Sequence, residues 1–284
     1  MSKREPITLQ LLACQLKIPN TADVVKRDLH LQETAVKIRQ KLSQKSADLV
    51  ILPELSSVDY ARDTFDQLHA LAETDCGASF QVFSEIAREF GVTVVYGYPG
   101  HKNERYTINQ AAIGADGHLL GVYEKLHIAH YGASMEKDYF EPGQHTLIFE
   151  CKGIRIAPII CYDIRFPELC RSLATQHGVE LILHCGAYFR DESFPSWHPF
   201  VITRAMENQI YMLSLNRAGK DYGQSLLCPP WMDTQHPCEG FSEEAEEFKH
   251  LALDMQAISR ARAYPFMEDR LEDYEGLPVT QPTR

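Results

Sequence analysis

The residue with the clearest potential for chemistry is Cys161, which ends an apolar run rich in strand formers at 154–160. A polar turn follows, and Pro167 stands where a helix would begin, since proline is pre-set for the first helical turn. A side chain on such a strand-to-helix elbow is held rigidly and points into a cleft, and a cysteine there is a candidate nucleophile. Because cysteine is among the most buried residue types, a structural role is the competing interpretation.

Three charged residues upstream of Cys161 are candidates for acid–base and electrostatic roles. Glu54 follows a short apolar strand, which places it at the rim of a predicted sheet, where active-site loops gather. Lys125 follows the second strand of a predicted hairpin, and Glu136 precedes a Pro-Gly pair by a few residues. Taken singly, each is typical of a solvated surface residue. Their order and local context favour a functional set.

The segments around these four residues resemble those of the nitrilase-type carbon–nitrogen hydrolase superfamily. That family places a glutamate, a lysine, a second glutamate and a cysteine in this chain order. In this chain the four segments are 51–55, 123–127, 136–143 and 161–169. The run Cys-Tyr-Asp-Ile-Arg-Phe-Pro-Glu-Leu in the last segment is similar to that of the amidase branch. The resemblance covers about residues 7–274, with departures such as Met232, where the family usually has glycine.

The resemblance implies cysteine-dependent hydrolysis of an amide. Cys161 would attack the carbonyl to form a thioester, and Glu54 would take the thiol proton and later activate water. Because carboxylate and thiol differ widely in reference pKa, Glu54 would need burial or a nearby acid. Lys125 would lower the thiol pKa and, with the backbone N–H of Tyr162, stabilise the oxyanion. Glu136 would position the lysine or the substrate amide. This chemistry requires no metal and no organic cofactor.

Five residues are candidates for contacts with a small-molecule substrate. They are Tyr60, Tyr162, Arg165, Tyr188 and His198. Arg165 could bind a substrate carboxylate bidentately, or it could form a structural ion pair with Asp163 or Glu168. Tyr60 lies at an offset where the family often has an aromatic residue, and an ordinary surface tyrosine is an equal alternative. His198 stands where the family usually has glutamate after a tryptophan.

The expected function is that of an amidase that converts a small linear carboxamide, such as the ω-amide of a dicarboxylate, into an acid and ammonia. The first alternative is an N-carbamoyl (ureide) amidohydrolase, because the segment 136–143 also resembles that branch. The sequence favours both of these activities over that of a nitrilase, since nitrilases usually carry Trp-Glu after the cysteine, where this chain has Tyr-Asp. A catalytically silent binding protein is the alternative from another class, and the intact Glu54, Lys125 and Cys161 argue against it.

The composition argues against several other classes of protein. The chain has 284 residues and a net charge of 28 − 39 = −11, which disfavours a nucleic-acid partner that would require a basic face. No apolar run approaches the roughly 20 residues of a membrane span, and no signal-type apolar region follows the charged N-terminus. We therefore expect a cytoplasmic protein. Its eight cysteines form no C-x-x-C pair, and His127 and His130 lack the H-E-x-x-H pattern, so no metal site is predicted.

The order of predicted elements indicates the α/β class and a single domain over residues 1–284, with a core at about 7–274 and a short C-terminal tail. The resemblance further implies a four-layer αββα sandwich, with two sheets face to face and helices outside. The predicted strands cover 7–16, 47–52, 92–97, 106–113, 119–123, 148–160 as a hairpin, 179–184, 210–215 and 248–253. The predicted helices cover about 21–43, with Asn20 or Thr21 as its cap, 80–90, 166–175, 197–208 and 254–263.

The C-terminal third of the chain carries two further expectations. The segment 233–247 is acidic and poor in strand formers, which puts the hairpin that the family has here in doubt. The apolar stretch at 264–267, together with the resemblance, predicts a homodimer or a larger homo-oligomer, because a small monomer has little reason to expose such a stretch. The identity of the substrate stays open.

Overall fold

Two six-stranded sheets form the centre of the computed structural model, which describes residues 7–271, 274 and 276–278. In chain order the strands are β1 (Thr8–Gln15), β2 (Leu49–Ile51), β3 (Thr93–Lys102), β4 (Arg105–Ile113), β5 (Leu119–Glu124), β6 (Phe149–Cys151), β7 (Ile154–Ile160), β8 (Leu181–Cys185), β9 (Tyr211–Leu215), β10 (Leu226–Cys228), β11 (Glu239–Gly240) and β12 (Glu247–Asp254). The first sheet has the order β12-β1-β2-β3-β4-β5, and the second has the order β11-β10-β9-β8-β7-β6.

The two sheets share a pattern of strand directions. Strands β1, β2 and β3 are parallel in the first sheet, as β7, β8 and β9 are in the second. Antiparallel strands flank each parallel trio on both sides. Loops at the carboxyl ends of the parallel strands can therefore meet at one rim, where the candidate residues lie.

Four of the described helices cover the outer faces of the sheets. The described helices are α1 (Val24–Gln44), α2 (Arg62–Phe65), α3 (Leu68–Leu71), α4 (Ala78–Phe90), α5 (Pro167–Thr175), α6 (Trp197–Asn208) and α7 (Gln256–Ala261). Helices α1 and α4 pack on the first sheet through residues such as Leu31 and Phe83, and α5 and α6 pack on the second through residues such as Leu173 and Val201. The inner faces of the sheets share one apolar core that includes Leu11. The predicted four-layer αββα sandwich is thus confirmed.

The first helix starts later than predicted. Asp23, and neither Asn20 nor Thr21, is its cap, because the Asp23 carboxylate accepts the backbone N–H of Lys26 at 2.9 Å. Val24, the first residue of the helix, is 37% exposed. The buried face of the helix begins at Arg27.

Two other segments differ from expectation. Residues 55–58, which follow Glu54, are buried, and the short helices α2 and α3 were not predicted. The acidic segment at 233–247 does contain a strand, since β11 pairs with β10 through two register pairs. Part of the expected tail, at 272–273, 275 and 279–284, and the side chain of Phe266 lie outside the described residues. None of the described helices combines the length and the hydropathy that crossing a bilayer requires.

Candidate active site

Cys161 occupies a strained elbow between β7 and α5. It begins a short 3₁₀ turn at 161–165 directly after the last residue of β7, and its φ is +43°, in the left-handed region that residues other than glycine seldom adopt. Pro167 is in the first turn of α5, as predicted. The thiol is half-buried and lines a cavity. The elbow therefore presents one side chain to a cavity while its backbone is under strain.

The carboxylate of Asp163 ties this elbow to the segment that carries the candidate lysine. Its Oδ2 accepts the Tyr123 hydroxyl at 2.7 Å and the backbone N–H of Ile160 at 3.0 Å. Its Oδ1 accepts the backbone N–H of His127 at 3.0 Å and lies 2.7 Å from Nδ1 of the same residue. The side chain is fully buried. From the sequence only a pairing of Asp163 with Arg165 is predicted, and the place of Asp163 two residues after Cys161 is the signal that could have indicated this role.

A buried relay of hydrogen bonds holds the carbonyl oxygen of Cys161. The indole N–H of Trp197 can only donate, so the Ser214 hydroxyl accepts it at 2.8 Å and donates its own proton to Nδ1 of His184 at 2.8 Å. The ring proton of His184 is then on Nε2, which donates to the Cys161 carbonyl oxygen at 2.9 Å. The Tyr188 hydroxyl donates to the same oxygen at 2.9 Å. Burial lowers the pKa of His184 to about 4, which keeps the ring neutral.

Three charged side chains form a buried row beside the elbow. Lys125 Nζ lies 2.8 Å from Oε1 of Glu54 and 2.7 Å from Oε1 of Glu136, and all three side chains are at most 1% exposed. The second oxygens are also satisfied, since Glu54 Oε2 accepts the N–H of Ala187 at 2.8 Å and Glu136 Oε2 accepts the N–H of Ala129 at 2.9 Å. Glu136 therefore contacts Lys125 directly, which is the geometry that the first of its two expected roles requires.

This arrangement shifts the pKa values of the site in a consistent direction. Burial raises the pKa of Glu54, and the charge of Glu136 raises it further, against the opposing charge of Lys125. Burial disfavours the charged form of Lys125, but the two carboxylates outweigh it and hold the lysine pKa well above its usual value. Burial, with a contribution from Glu54, raises the pKa of the Cys161 thiol, which Lys125 offsets only in part. Lys125 therefore acts on the thiol pKa in the expected direction, although burial and Glu54 outweigh it. The burial that Glu54 needs to act as a base is present.

The loop that carries Glu54 is held by a buried arginine that we did not single out from the sequence. The guanidinium of Arg217 is 1% exposed and donates to the carbonyl oxygens of Glu54, Leu55 and Val58 at 2.9–3.3 Å. Gly97 permits the loop to lie against β3, because a Cβ atom there would come within 2.5 Å of the Leu55 backbone nitrogen. Backbone packing thus sets the position of this carboxylate.

The Pro-Gly pair that follows Glu136 supports the lysine. The N–H of Gly143 donates to the carbonyl oxygen of Lys125 at 2.8 Å, and the N–H of Lys125 donates to Ile108 at 2.8 Å. A Cβ atom at position 143 would approach the carbonyl oxygen of Glu124 to 2.5 Å, so glycine is required for this contact.

The cavity beside Cys161 has a volume of about 280 Å³. It is lined by Tyr60, Ala129, Tyr131, Ala133, Ser134, Met135, Glu136, Cys161, Ala187, Tyr188, Phe189, Asp191, Ser193 and Tyr222. The predicted residues Tyr60 and Tyr188 are therefore at the site, and Tyr60 also donates to Glu136 at 3.0 Å. Tyr131 and Asp191 were not predicted, because they lie in loops without periodic patterning. The volume suits a small ligand.

Comparison with known proteins agrees with this geometry. The family model described as carbon-nitrogen hydrolase matches residues 13–263. The chain belongs to the carbon–nitrogen hydrolase family. The predicted resemblance is confirmed, and so is the expectation of a hydrolase acting on carbon–nitrogen bonds other than peptide bonds.

Relatives of this carbon–nitrogen hydrolase include enzymes of the omega-amidase type. It is 28% identical over 274 residues to the probable nitrilase C965.09 of Schizosaccharomyces pombe, covering 92% of this chain and 96% of that one. It is 28% identical over 249 residues to the omega-amidase NIT2 of Homo sapiens, covering 84% and 88%. The crystal structure of Saccharomyces cerevisiae Nit3, a member of branch 10 of the nitrilase superfamily, superposes with a TM-score of 0.78 at 23% identity, covering 95% and 97%.

In this carbon–nitrogen hydrolase Arg165 lies behind the cavity wall. Its Nη2 donates to the Ser196 hydroxyl at 3.3 Å, and its guanidinium lies over the rings of Tyr131 and Phe200, 5.0 Å and 5.1 Å from their centroids. Among the residues that the structure describes, none forms a hydrogen bond with its buried Nε atom. Neither Asp163 nor Glu168 is among its contacts in the described part of the chain, so the alternative of a structural ion pair with them is wrong.

Two predicted substrate contacts are absent from the cavity lining. His198 donates from Nε2 to the Gln224 carbonyl oxygen at 2.8 Å. It lies on another face of α6 than Trp197, because successive helical residues point in different directions. Its neighbour Trp197 faces inward and stacks on Tyr188 at 4.7 Å. The Tyr162 side chain packs against Tyr131 instead of entering the cavity. Only its backbone N–H stays a candidate for the site.

The two histidines near Lys125 have other surroundings. His127 bonds to Asp163 and stacks on Phe166 with ring centroids 3.6 Å apart, and His130 contacts Tyr162 edge to face. Across residues 7–271, 274 and 276–278, no group of three or more His, Cys, Asp or Glu is placed to hold a metal ion.

Proposed function

We propose that this protein is a cysteine-dependent amidase that hydrolyses a small linear carboxamide to an acid and ammonia. The observation that carries the proposal is the row Glu54–Lys125–Glu136, joined at 2.8 Å and 2.7 Å, beside a cysteine that lines the same cavity as Glu136. A nucleophile, a base and a fixed cation in one buried site are what amide hydrolysis requires.

In the first half of the reaction, Glu54 takes the proton of Cys161 as the sulfur attacks the amide carbonyl carbon. Burial raises the pKa of both groups, and a carboxylate with a raised pKa is a stronger base toward the thiol proton. The oxyanion is stabilised by Lys125 and by the backbone N–H of Tyr162. Glu54 then gives the proton to the leaving nitrogen, ammonia departs, and a thioester stays on the sulfur.

In the second half, Glu54 removes a proton from a water molecule that attacks the thioester. The tetrahedral intermediate collapses, the carbon–sulfur bond breaks, and Glu54 returns the proton to the sulfur. The sum is one amide and one water converted into one acid and one ammonia. Glu136 keeps Lys125 in place, and the carboxylates beside Lys125 hold its pKa well above its usual value, which favours the charged form.

Two observations support a small carboxamide as the substrate. The cavity of about 280 Å³ leaves room for a short chain. The human relative is named an omega-amidase, which is an enzyme acting on a terminal carboxamide. We therefore propose an ω-amide of a dicarboxylate as the first substrate to try, with its acid end toward the side of the cavity behind which Arg165 lies.

The test is a screen that follows ammonia and carbon dioxide from linear carboxamides, N-carbamoyl amines and nitriles, with Cys161→Ala as the control. We expect ammonia from a carboxamide without carbon dioxide, and no turnover in the control. Carbon dioxide released in step with ammonia from an N-carbamoyl amine, without turnover of any carboxamide, would show a ureide hydrolase instead. Turnover of nitriles alone would show a nitrilase.

A further inference from the structure

Two cysteines far along the chain from Cys161 face each other across the edge of the second sheet. The register of β10 and β11 pairs Leu226 with Gly240 and Leu227 with Glu239. The next pair in an antiparallel register is Cys228 with Cys238. Their sulfur atoms lie 3.3 Å apart and share a hydrogen bond, and both cysteines are free. None of the residues 228–238 is among those that line the cavity.

The two thiols differ in access and in acidity. Cys228 is 1% exposed, whereas Cys238 is half-buried. The hydrogen bond shared with Cys228 lowers the pKa of Cys238, while that hydrogen bond together with burial raises the pKa of Cys228. Cys161, by contrast, has a raised pKa. A reachable thiol of lowered pKa beside a second thiol is the arrangement found in reversible redox pairs.

We propose that Cys228 and Cys238 are a thiol pair that a low-molecular-weight disulfide, such as oxidised glutathione, converts into an intramolecular disulfide. The Cys238 thiolate attacks one sulfur of the small disulfide and forms a mixed disulfide, and one glutathione thiolate leaves. The Cys228 thiol loses its proton to solvent, and its sulfur attacks the Cys238 sulfur and expels the second glutathione. Two protein thiols are oxidised, and one small disulfide is reduced to two thiols.

The place of the pair in the fold gives the cross-link a structural role. Strand β11 has two residues and forms the outer edge of the second sheet, where two register pairs hold it to β10. A disulfide between Cys228 and Cys238 would join the strands at the next pair and close the loop 229–237. Met232 contacts Cys238 from within this loop, with 3.5 Å between their sulfur atoms.

The experiment uses the full wild-type chain in buffers with a range of ratios of oxidised to reduced glutathione, followed by alkylation of the remaining thiols. A protease that cleaves before aspartate separates the fragments 221–232 and 233–253, each with one of the two cysteines. We expect mass spectrometry to find these fragments joined until a reductant is added. The proposal is wrong if Cys238 keeps its glutathione without a cross-link, or if neither thiol reacts under oxidising ratios.

Two variants and one internal control sharpen this test. Cys228→Ser should stop at the mixed disulfide, with one glutathione on Cys238, and Cys238→Ser should leave Cys228 alkylated only after unfolding. Cys76, which is exposed in the native chain, provides the matched control for access. Cys76 should form at most a mixed disulfide with glutathione and no cross-link to another cysteine. A cross-link from Cys228 or Cys238 to any other cysteine would also contradict the proposed pair.

Discussion

The Nε2 atom of His184 lies 2.9 Å from the carbonyl oxygen of Cys161, so a buried side chain on β8 holds the backbone of the residue that follows β7. Cys161 adopts a φ of +43°, which this contact helps to maintain. His184 acts through the backbone of Cys161 and is therefore a positioning residue. Its two ring nitrogens have separate partners, which makes their contributions separable by mutation.

His184→Asn should lower kcat about tenfold with little change in KM, because asparagine can replace the contact of Nδ1 with Ser214 but does not reach the Cys161 carbonyl. The Tyr188 hydroxyl still donates to this oxygen, so the variant loses one hydrogen bond, which costs roughly 0.5–1.5 kcal/mol, and about 1.4 kcal/mol corresponds to tenfold in rate. His184→Gln should recover most of kcat, because its amide can reach the position of Nε2. Steady-state kinetics of both variants provide the check. Equal activity in the two variants would contradict the positioning role.

The pH profile of kcat/KM should have its acid limb at a higher pH than an ordinary glutamate would give. Burial raises the pKa of Glu54, so the carboxylate becomes protonated and ceases to act as a base as the pH falls through that raised value. His184, with a pKa of about 4, is neutral above that range and does not contribute the limb. Glu54→Gln should lower the rate about 10²–10⁴-fold and abolish the limb.

Glu73→Gln is the matched control for this profile. Glu73 is also a buried carboxyl whose pKa is raised by burial, but it bonds to Ser79 and Arg27 instead of Lys125. The acid limb should stay unchanged in this variant. A limb that moves with Glu73→Gln, or one that survives Glu54→Gln, would show that another group controls the profile.

Site residues that are marked by their neighbours in the sequence were predicted, whereas site residues that are positioned by packing between distant segments were not. Glu54, Lys125, Glu136 and Cys161 each lie just past a strand or in a recognisable short segment, and the structure brings them together. Tyr131 and Asp191 enter the cavity from loops whose paths depend on the packing of both sheets, and no local pattern marks them. The same limit applies to His198, because the rotation of α6 decides which residue faces inward.

The same distinction between local and long-range determinants applies to the strands and helices of the fold. Most strands and the longer helices were found because their apolar spacing is periodic over many residues. The helices α2 and α3 have four residues each, which is too few for a period to show. The two-residue strand β11 forms in an acidic segment because it is paired with β10, and its own composition gives no sign of it.

Arg165→Ala should weaken the binding of an acidic amide more than that of a neutral amide of the same length. The guanidinium lies behind Tyr131 at the cavity wall, so its charge favours an anionic end of the substrate. The measurement is KM for a dicarboxylic monoamide and for the corresponding neutral amide. Arg165→Lys is the control, since it keeps the charge. An equal rise in KM for both substrates in Arg165→Ala would exclude this role.

We expect the protein to be a homodimer or a larger homo-oligomer. Tyr264 is 54% exposed and stacks on Trp231 with ring centroids 4.7 Å apart, which leaves apolar surface for a second copy to cover. Light scattering over a range of concentrations provides the mass. Tyr264→Lys should shift the equilibrium toward the monomer, whereas a substitution at exposed Lys152 should not. A monomer mass at every concentration would contradict this expectation.

The central claim is that Cys161 carries the acyl group of a carboxamide as a thioester. The most direct test is mass spectrometry of the protein quenched with acid during turnover of an ω-amide, followed by peptide mapping. We predict one acyl group on the peptide that contains Cys161, its transfer to hydroxylamine as a hydroxamate, and no adduct and no ammonia with Cys161→Ala. Ammonia release at the wild-type rate by Cys161→Ala, or an acyl group located on another residue, would contradict the account.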